Sequence, residues 1–162
     1  MEFGIRPAAA DDWPAIWHLF RAVAAAGDAF AYDEATPEAV ARKLWFDPPA
    51  VCFVANDGGT LAGTYFLRPN QPGRGSHVAN AGYMVASTHR GRGAAHAMGE
   101  HSLDEARRLG YRAVQFNYVV SSNEAAIKAW ERLGFKVIGR VPQAFRHISL
   151  GLVDVLIFHR LI

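Results

Sequence analysis

The stretch Ala79-Asn80-Ala81-Gly82-Tyr83-Met84-Val85-Ala86-Ser87-Thr88-His89-Arg90-Gly91-Arg92-Gly93-Ala94-Ala95-His96-Ala97-Met98 sets the reading of the whole chain. Its first part is an apolar run with β-branched and aromatic members, which favours a buried strand. A polar turn follows and ends in Arg90-Gly91-Arg92-Gly93. From Ala94 to about Leu109 the chain is rich in Ala, Leu, Met, Glu and Arg, the residue types that lose least on entering a helix.

A helix leaves the N–H groups of its first turn without internal partners. Gly91 and Gly93 let the main chain approach a ligand with no Cβ in the way, and the helix dipole adds partial positive charge at the same place. Arg90 and Arg92 bring full charges and forked donors suited to phosphate oxygens, with His89 and His96 nearby. Strand, basic glycine turn and helix together propose a pyrophosphate site centred on residues 90–95. Two other readings stand beside it. The turn could be a tight, solvated connection. A dinucleotide turn would need a third glycine where His96 stands and an acidic residue closing the next strand, which ends Val119-Val120-Ser121.

The bulk composition bounds the class of protein. A chain of 162 residues, 51% hydrophobic and 20% charged, suffices for one globular domain over residues 1–162 with a substantial core. A net charge of +2 is too mild for a nucleic-acid binder. No apolar run approaches the length of a membrane span, and Met1-Glu2-Phe3-Gly4-Ile5-Arg6 has no secretion-leader pattern. The single cysteine, Cys52, sits among Val51, Phe53 and Val54 as a buried strand residue and fits a reducing compartment. The expectation is a cytoplasmic protein.

Around the central stretch the elements follow in order. Phe3–Arg6 reads as a short strand, and Trp13, Ile16, Trp17, Phe20 and Val23 recur at helical spacing up to Gly27. Thr36-Pro37-Glu38 reads as an N-cap with proline at the first helical position, opening a helix to about Phe46. The loop before it carries Phe30, Tyr32, Asp33 and Glu34. It either walls a substrate pocket, with Asp33 or Glu34 meeting a cationic amine, or packs as a surface loop. Residues 51–55 and 61–67 form a hairpin about Asn56-Asp57-Gly58-Gly59. The strand at 113–119 runs parallel to the central one because a helix separates them. A capped helix follows from Asn123 to a glycine stop at Gly134, then a strand over 135–140, an irregular link over 142–151 and a last strand over 154–160. His96, Glu100 and His101 miss zinc-site spacing, so no metal is expected.

Two motifs now support a family resemblance. Arg90-x-x-Gly93-x-Ala95 resembles the acyl-CoA signature of the GCN5-related N-acetyltransferases (GNAT), and Asn123, Ala126, Trp130, Gly134 and Phe135 are similar to that family's second signature. The resemblance implies an α/β fold: a mixed, twisted sheet of about seven strands with helices on both faces and a splay between strands four and five. It also implies that acetyl-CoA is the cosubstrate. Met84 and Val85 would bind the pantetheine and polarise the thioester, residues 90–95 (Arg90, Gly91, Arg92, Gly93, Ala94, Ala95) would hold the pyrophosphate, and Asn123 would touch CoA. One position departs from the common pattern. Trp130 stands where many members carry a tyrosine that protonates the departing thiolate, and an indole N–H cannot serve as a general acid.

Asn80 and Asn117 lie in strands expected to be buried, where an unpaired amide costs about 1 to 3 kcal/mol. Each either bonds to nearby main chain or faces substrate. At ~3.3 Å per residue Asn80 lies roughly 17 Å back from Val85, comparable to an extended pantetheine arm. The two amides could therefore orient a substrate and, with the Val85 N–H, stabilise a developing oxyanion. Phe116-Asn117-x-Val119-x-x-x-Asn123, with the run from Trp130 to Val141, looks most like the fungal L-azetidine-2-carboxylate N-acetyltransferases, while the first half resembles phosphinothricin-type enzymes as well. The former resemblance implies paired substrate-site asparagines, here Asn80 and Asn117. The reading is an N-acetyltransferase of a small amine, with Tyr32 and Asp33 lining the substrate site and His77, Asp33 or Glu34 relaying a proton through water. Its alternatives are acetylation of phosphinothricin-like or other xenobiotic amines, or a CoA-binding module without turnover. A homodimer is implied by the same resemblance.

Overall fold

Alternation along the first hairpin decides what each face of the sheet carries. In β2 (Val51–Asp57) and β3 (Thr60–Pro69), Phe53, Ala55, Tyr65 and Leu67 point to one side, while Cys52, Val54 and Phe66 point to the other. Both sides are apolar, so both must be covered. The computed structural model describes residues 3–162, which leaves Met1 and Glu2 of the opening stretch outside the described residues.

The remaining elements are β1 (Gly4–Pro7), α1 (Trp13–Ala26), α2 (Glu38–Trp45), β4 (Val78–Val85), α3 (Ala94–Arg108), β5 (Ala113–Val120), α4 (Glu124–Arg132), β6 (Lys136–His147) and β7 (Gly151–Leu161). The seven strands form one sheet in the order β1-β2-β3-β4-β5-β7-β6, antiparallel except for the β4–β5 pair. This is the mixed α/β sheet that the resemblance implied. On one face α1 and α2 bury Ile16, Phe20 and Trp45 against Val54, Phe66 and Met84. On the other, Met98 and Leu103 of α3 and Trp130 of α4 pack on Tyr65, Val114 and Phe158.

Trp45 is fixed by a buried relay. Its indole Nε1 donates to Thr64 Oγ1 at 3.2 Å, and that hydroxyl donates to the Phe53 carbonyl at 2.7 Å. The α1 helix ends where its sequence says it should, at Gly27 in the left-handed conformation.

Three local expectations need correction. Thr36 does not cap α2; Pro37 is the extended N-cap residue, and no side chain caps the helix. The first hairpin is tighter than expected. Its strands run to Asp57 and from Thr60, leaving Gly58-Gly59 as a two-residue turn with φ of 55° and 86°.

The third concerns residues 142–151, which are mostly strand: β6 continues to His147 and returns through Ile148-Ser149-Leu150 into β7. β6 is an edge strand, where a residue without an N–H is tolerated, and its register shifts between Val141 and Phe145 take up Pro142. Gln143, at φ 50°, donates its N–H to Asp154 Oδ1 at 2.9 Å, and Arg140 pairs with the other oxygen at 2.6 Å. Those bonds hold the Asp154 carboxyl below its ordinary range.

Candidate active site

β4 and β5 pair only at Val78 with Ala113, Ala79 with Val114 and Asn80 with Gln115. Both strands then run on, to Val85 and Val120, without each other. The register of β5 with β7 shifts between Phe116 and Val119, and such a shift bends a strand away from its neighbour. From Ala81 onward β4 has backbone polar groups turned to a gap and not to a ladder. The gap opens into a cleft of about 350 Å³, walled by Phe30, Tyr32, Trp45 and Phe66 on one side and by Phe116 and Trp130 on another.

The split itself stays open to where β4 runs out, beyond the residues that line the cleft. A 3₁₀ turn at Ser87–His89 leads into Arg90-Gly91-Arg92-Gly93, with Gly91 at φ 73° and Gly93 at φ 88°. A Cβ at either glycine would meet nothing within 4 Å, so the requirement there is conformational and not steric. The first bond of α3 is Ala97 N–H to Gly93 C=O at 3.0 Å, and no side chain caps the helix. The N–H groups of Gly93, Ala94 and Ala95 therefore have no helical partner. Arg90 and Arg92 are exposed beside them.

The histidines expected to join this basic cluster do not. His89 is 6% exposed, its Nε2 lies 3.3 Å from Asp57 and its Nδ1 bonds Thr88 at 2.9 Å. His96 faces Glu100 one turn along α3 at 3.5 Å.

The narrow end is built from side chains. Asn80 is half-buried at the vertex of the splay, and its Nδ2 donates to the Gln115 carbonyl at 3.0 Å. This is the main-chain bond that its position in the strand calls for, and the residue also lines the cleft. Asn117 contradicts the expectation of burial: it is exposed, because β5 has already lost its β4 neighbour there. Its Nδ2 donates to Asn70 Oδ1 at 2.7 Å and its Oδ1 accepts from Gln115 Nε2 at 2.9 Å, a chain of amides across the mouth.

The two candidate strand-end residues sit differently. Met84 is 1% exposed and packs toward α1 and α2, whereas Val85 is half-buried opposite Gly63. Asn123 lines the cleft and spends its Oδ1 on capping α4, accepting the Ala126 N–H at 3.2 Å. Trp130 is 6% exposed and packs on Tyr83 and Phe116, with centroids 4.6 and 4.8 Å apart, so it serves core and cleft at once.

The loop between α1 and α2 divides. Phe30 and Tyr32 pack on Phe20 and line the cleft. Asp33 turns away: its Oδ1 accepts the Ala35 N–H at 2.9 Å, and with Glu34 it borders a separate hollow against Arg146 and His147. Among the described residues lining the cleft there is no carboxylate and no histidine, and Arg68 is the one charged group. Arg68 and Asn70 were missed as site residues. The signal available was the hairpin register, which sets Arg68 directly opposite Asn80.

Other titratable groups near the site belong to the scaffold. Tyr83 donates to Ser102 Oγ at 2.7 Å and Tyr65 bonds His101 Nδ1 at 2.6 Å; burial pushes both phenols well above their ordinary range. Burial likewise raises the Cys52 thiol to about 11. Among the described residues no cluster of potential metal ligands occurs, and no helix is long and apolar enough to cross a membrane.

Comparison with known proteins meets this geometry from outside. Residues 13–135 match the family model described as Acetyltransferase (GNAT) family. The chain is similar to a GCN5-related N-acetyltransferase from Kribbella flavida, 44% identical over 99% of this chain and 98% of that one, with a TM-score of 0.94. A phosphinothricin acetyltransferase from Sinorhizobium meliloti, solved in complex with AcCoA, shares the fold at a TM-score of 0.88 and 18% identity, covering 100% of this chain and 89% of that one. The N-acetyltransferase aca1 of Schizosaccharomyces pombe is 37% identical over 87 residues, 54% of this chain and 42% of that protein. The chain thus spans less than half the length of the curated relatives it matches. A family model matched over most of the chain, together with a solved relative alike in both sequence and fold, shows that the chain belongs to the GNAT acetyltransferase family.

Proposed function

We propose that this protein is an acetyl-CoA-dependent N-acetyltransferase acting on the amine of a small molecule, most closely a cyclic imino acid or amino-acid analogue. The observation that carries the reading is the interrupted β4–β5 ladder with the uncapped N-terminus of α3 at its open end. The N–H groups of Gly93, Ala94 and Ala95, with Arg90 and Arg92, suit a diphosphate. The bare edge of β4 suits the amides of a pantetheine arm, which adds to a sheet edge as a strand would. Acetyl-CoA would supply an electrophilic thioester carbonyl and a thiol leaving group.

The chain's own contribution is approximation and polarity. Amine and thioester meet near Asn80, in a cleft with aromatic walls that exclude water. Attack forms the C–N bond, collapse breaks the C–S bond, and the ammonium proton passes to solvent or to the departing thiolate. His77 is exposed at the entry to β4 and lies outside the cleft lining, as do Asp33 and Glu34, so no side chain is assigned as base. Trp130 orients without donating an acidic proton. Asn80 and Asn117 orient the acceptor and donate to the developing oxyanion, while the Val85 N–H, about 17 Å further along β4, serves the pantetheine arm.

Release of free CoA tests the reading, measured with acetyl-CoA and a panel of proline analogues, phosphinothricin-like acids and polyamines. Turnover of a cyclic imino acid supports it. Acetyl-CoA binding without turnover of any amine would leave a CoA-binding module. A second copy of the chain, as in a homodimer, would find its face at the exposed edge strand β6, where Val137, Ile138 and Val141 lie open. Sedimentation equilibrium measures that directly. We infer a cytoplasmic enzyme in which residues 1–162 form one domain.

A further inference from the structure

The geometry points to Arg68 as the anchor for a carboxylate on the acceptor, two bonds from the amine that is acetylated. The inference rests on the acetyltransfer reading and narrows its substrate to α-amino and α-imino acids.

Arg68 is the penultimate residue of β3, half-buried, and lines the cleft. Among the described residues no ion pair joins it to a carboxylate. Its one hydrogen bond is a long one, Nη1 to the Leu44 carbonyl at 3.5 Å, and its guanidinium lies 5.0 Å from the centre of the Phe66 ring. Phe66 and Leu44 therefore hold the side chain while most of its forked donors remain unused. A cation withdrawn from water without an anion is costly, and a bound carboxylate would offset that cost.

The surroundings fit one such group. Antiparallel pairing sets Arg68 directly opposite Asn80, so both side chains rise on the same face with Cβ atoms about 5 Å apart. Asn117, held by its bond to Asn70, lines the same cleft. A carboxylate on the guanidinium fork would accept from the amides as well, leaving the adjacent amine beside Asn80, where the thioester arrives. Nothing in the lining answers a second positive charge, and the aromatic walls suit a small apolar ring or side chain.

The test compares acids with their own amides. L-azetidine-2-carboxylate, L-proline and L-methionine are each set against the corresponding carboxamide, by kcat/KM from CoA release and, for pairs not turned over, by protection of the CoA complex against thermal unfolding. In the unaltered enzyme at least one acid should exceed its amide by about 50-fold, the worth of a charge-assisted forked contact. Arg68→Met should bring the pair within about 5-fold of each other with the acetyl-CoA KM unchanged, and Arg68→Lys should restore part of the gap. Equal use of acid and amide by the unaltered enzyme, or a gap that survives in Arg68→Met, overturns the assignment. So does acetyl-CoA binding with no acid either turned over or protective, which leaves the acetyltransfer reading standing. Failure of the unaltered enzyme to bind acetyl-CoA removes both.

Discussion

The two ends of the β4–β5 split are made in different ways. The wide end comes from one unbroken stretch, residues 86–95, and its working parts are main-chain N–H groups held open by two left-handed glycines. The narrow end comes from three separate segments, and its working parts are the side chains of Arg68, Asn70, Asn80 and Asn117. At the wide end the N–H groups depend on φ at the glycines, and Arg90 and Arg92 add full charge beside them. At the narrow end each member depends on strand register for its place. The first end should govern affinity for the cosubstrate and the second should govern the choice and turnover of the acceptor.

The sharpest way to separate the ends is to remove charge from the first. Arg90→Ala together with Arg92→Ala should raise the acetyl-CoA KM by about 100-fold, each arginine being worth about 1.5 kcal/mol or more toward phosphate, with kcat little changed. Steady-state kinetics in which kcat falls and KM holds would break the division.

The next effect belongs to the wall between the ends. A Cβ at Gly82 would lie 2.6 Å from Phe66 Cε1 and 3.3 Å from Trp45 Cη2, two buried rings that cannot swing aside cheaply. Gly82→Ala should destabilise the fold by about 2 kcal/mol. Denaturant melts read that loss, and the acetyl-CoA affinity of the protein that remains folded should be unaltered.

At the narrow end, Asn117→Ala removes the bridge to Asn70 and the acceptor for Gln115. Turnover should fall about 10-fold with the acetyl-CoA KM unchanged, a loss of about 1.4 kcal/mol in the transition state. A shift confined to the cosubstrate KM would reassign the residue to the first end.

The smallest effect contrasts cleft with core. The cleft lining holds no group that titrates near neutrality, so the rise of kcat/KM with pH should follow the amine of whichever acceptor is used, moving when the acceptor is exchanged. Stability should respond elsewhere. The Cys52 thiol ionises near 9.0 in the unfolded chain and near about 11 in the folded one. Between those values the unfolded chain releases a proton that the folded chain keeps. Stability therefore falls as pH rises through that window, by at most about 1.4 kcal/mol per unit, and does not change through this group below it. Tyr65 and Tyr83 act in the same direction above their ordinary range. Cys52→Ala should flatten the first part of the decline in urea melts taken at successive pH values.

The contrast between the two ends also explains what could be read from the chain beforehand. The strand, the glycine turn and the helix are local, and their residues announce them: Gly91, Gly93 and the helix from Ala94 stand where the sequence puts them. Asn80 and Asn117 stood out because asparagine is rare in apolar strands, yet Asn117 is exposed, since loss of pairing beyond Gln115 is a property of two strands together. Arg68 drew no notice because it stands just past the strand read over 61–67, and its role depends on facing Asn80 across the β3–β4 pair. Asp33 misled in the opposite way: directly after Tyr32, one of the two cleft-lining aromatics that flank Ala31, it turns back to bond Ala35. The β6–β7 hairpin was hidden by Pro142, which a central strand would exclude and an edge strand accepts.

The most direct measurement is a calorimetric titration of the protein with acetyl-CoA beside one with acetyl-pantetheine, which carries the same thioester without the diphosphate. Acetyl-CoA should bind at least about 100-fold more tightly, and the difference should narrow when Arg90 and Arg92 are both alanine, leaving the share of the main-chain N–H groups. No heat with acetyl-CoA, or equal affinity for the two thioesters, would contradict a diphosphate held on the glycine turn at the open end of the β4–β5 split.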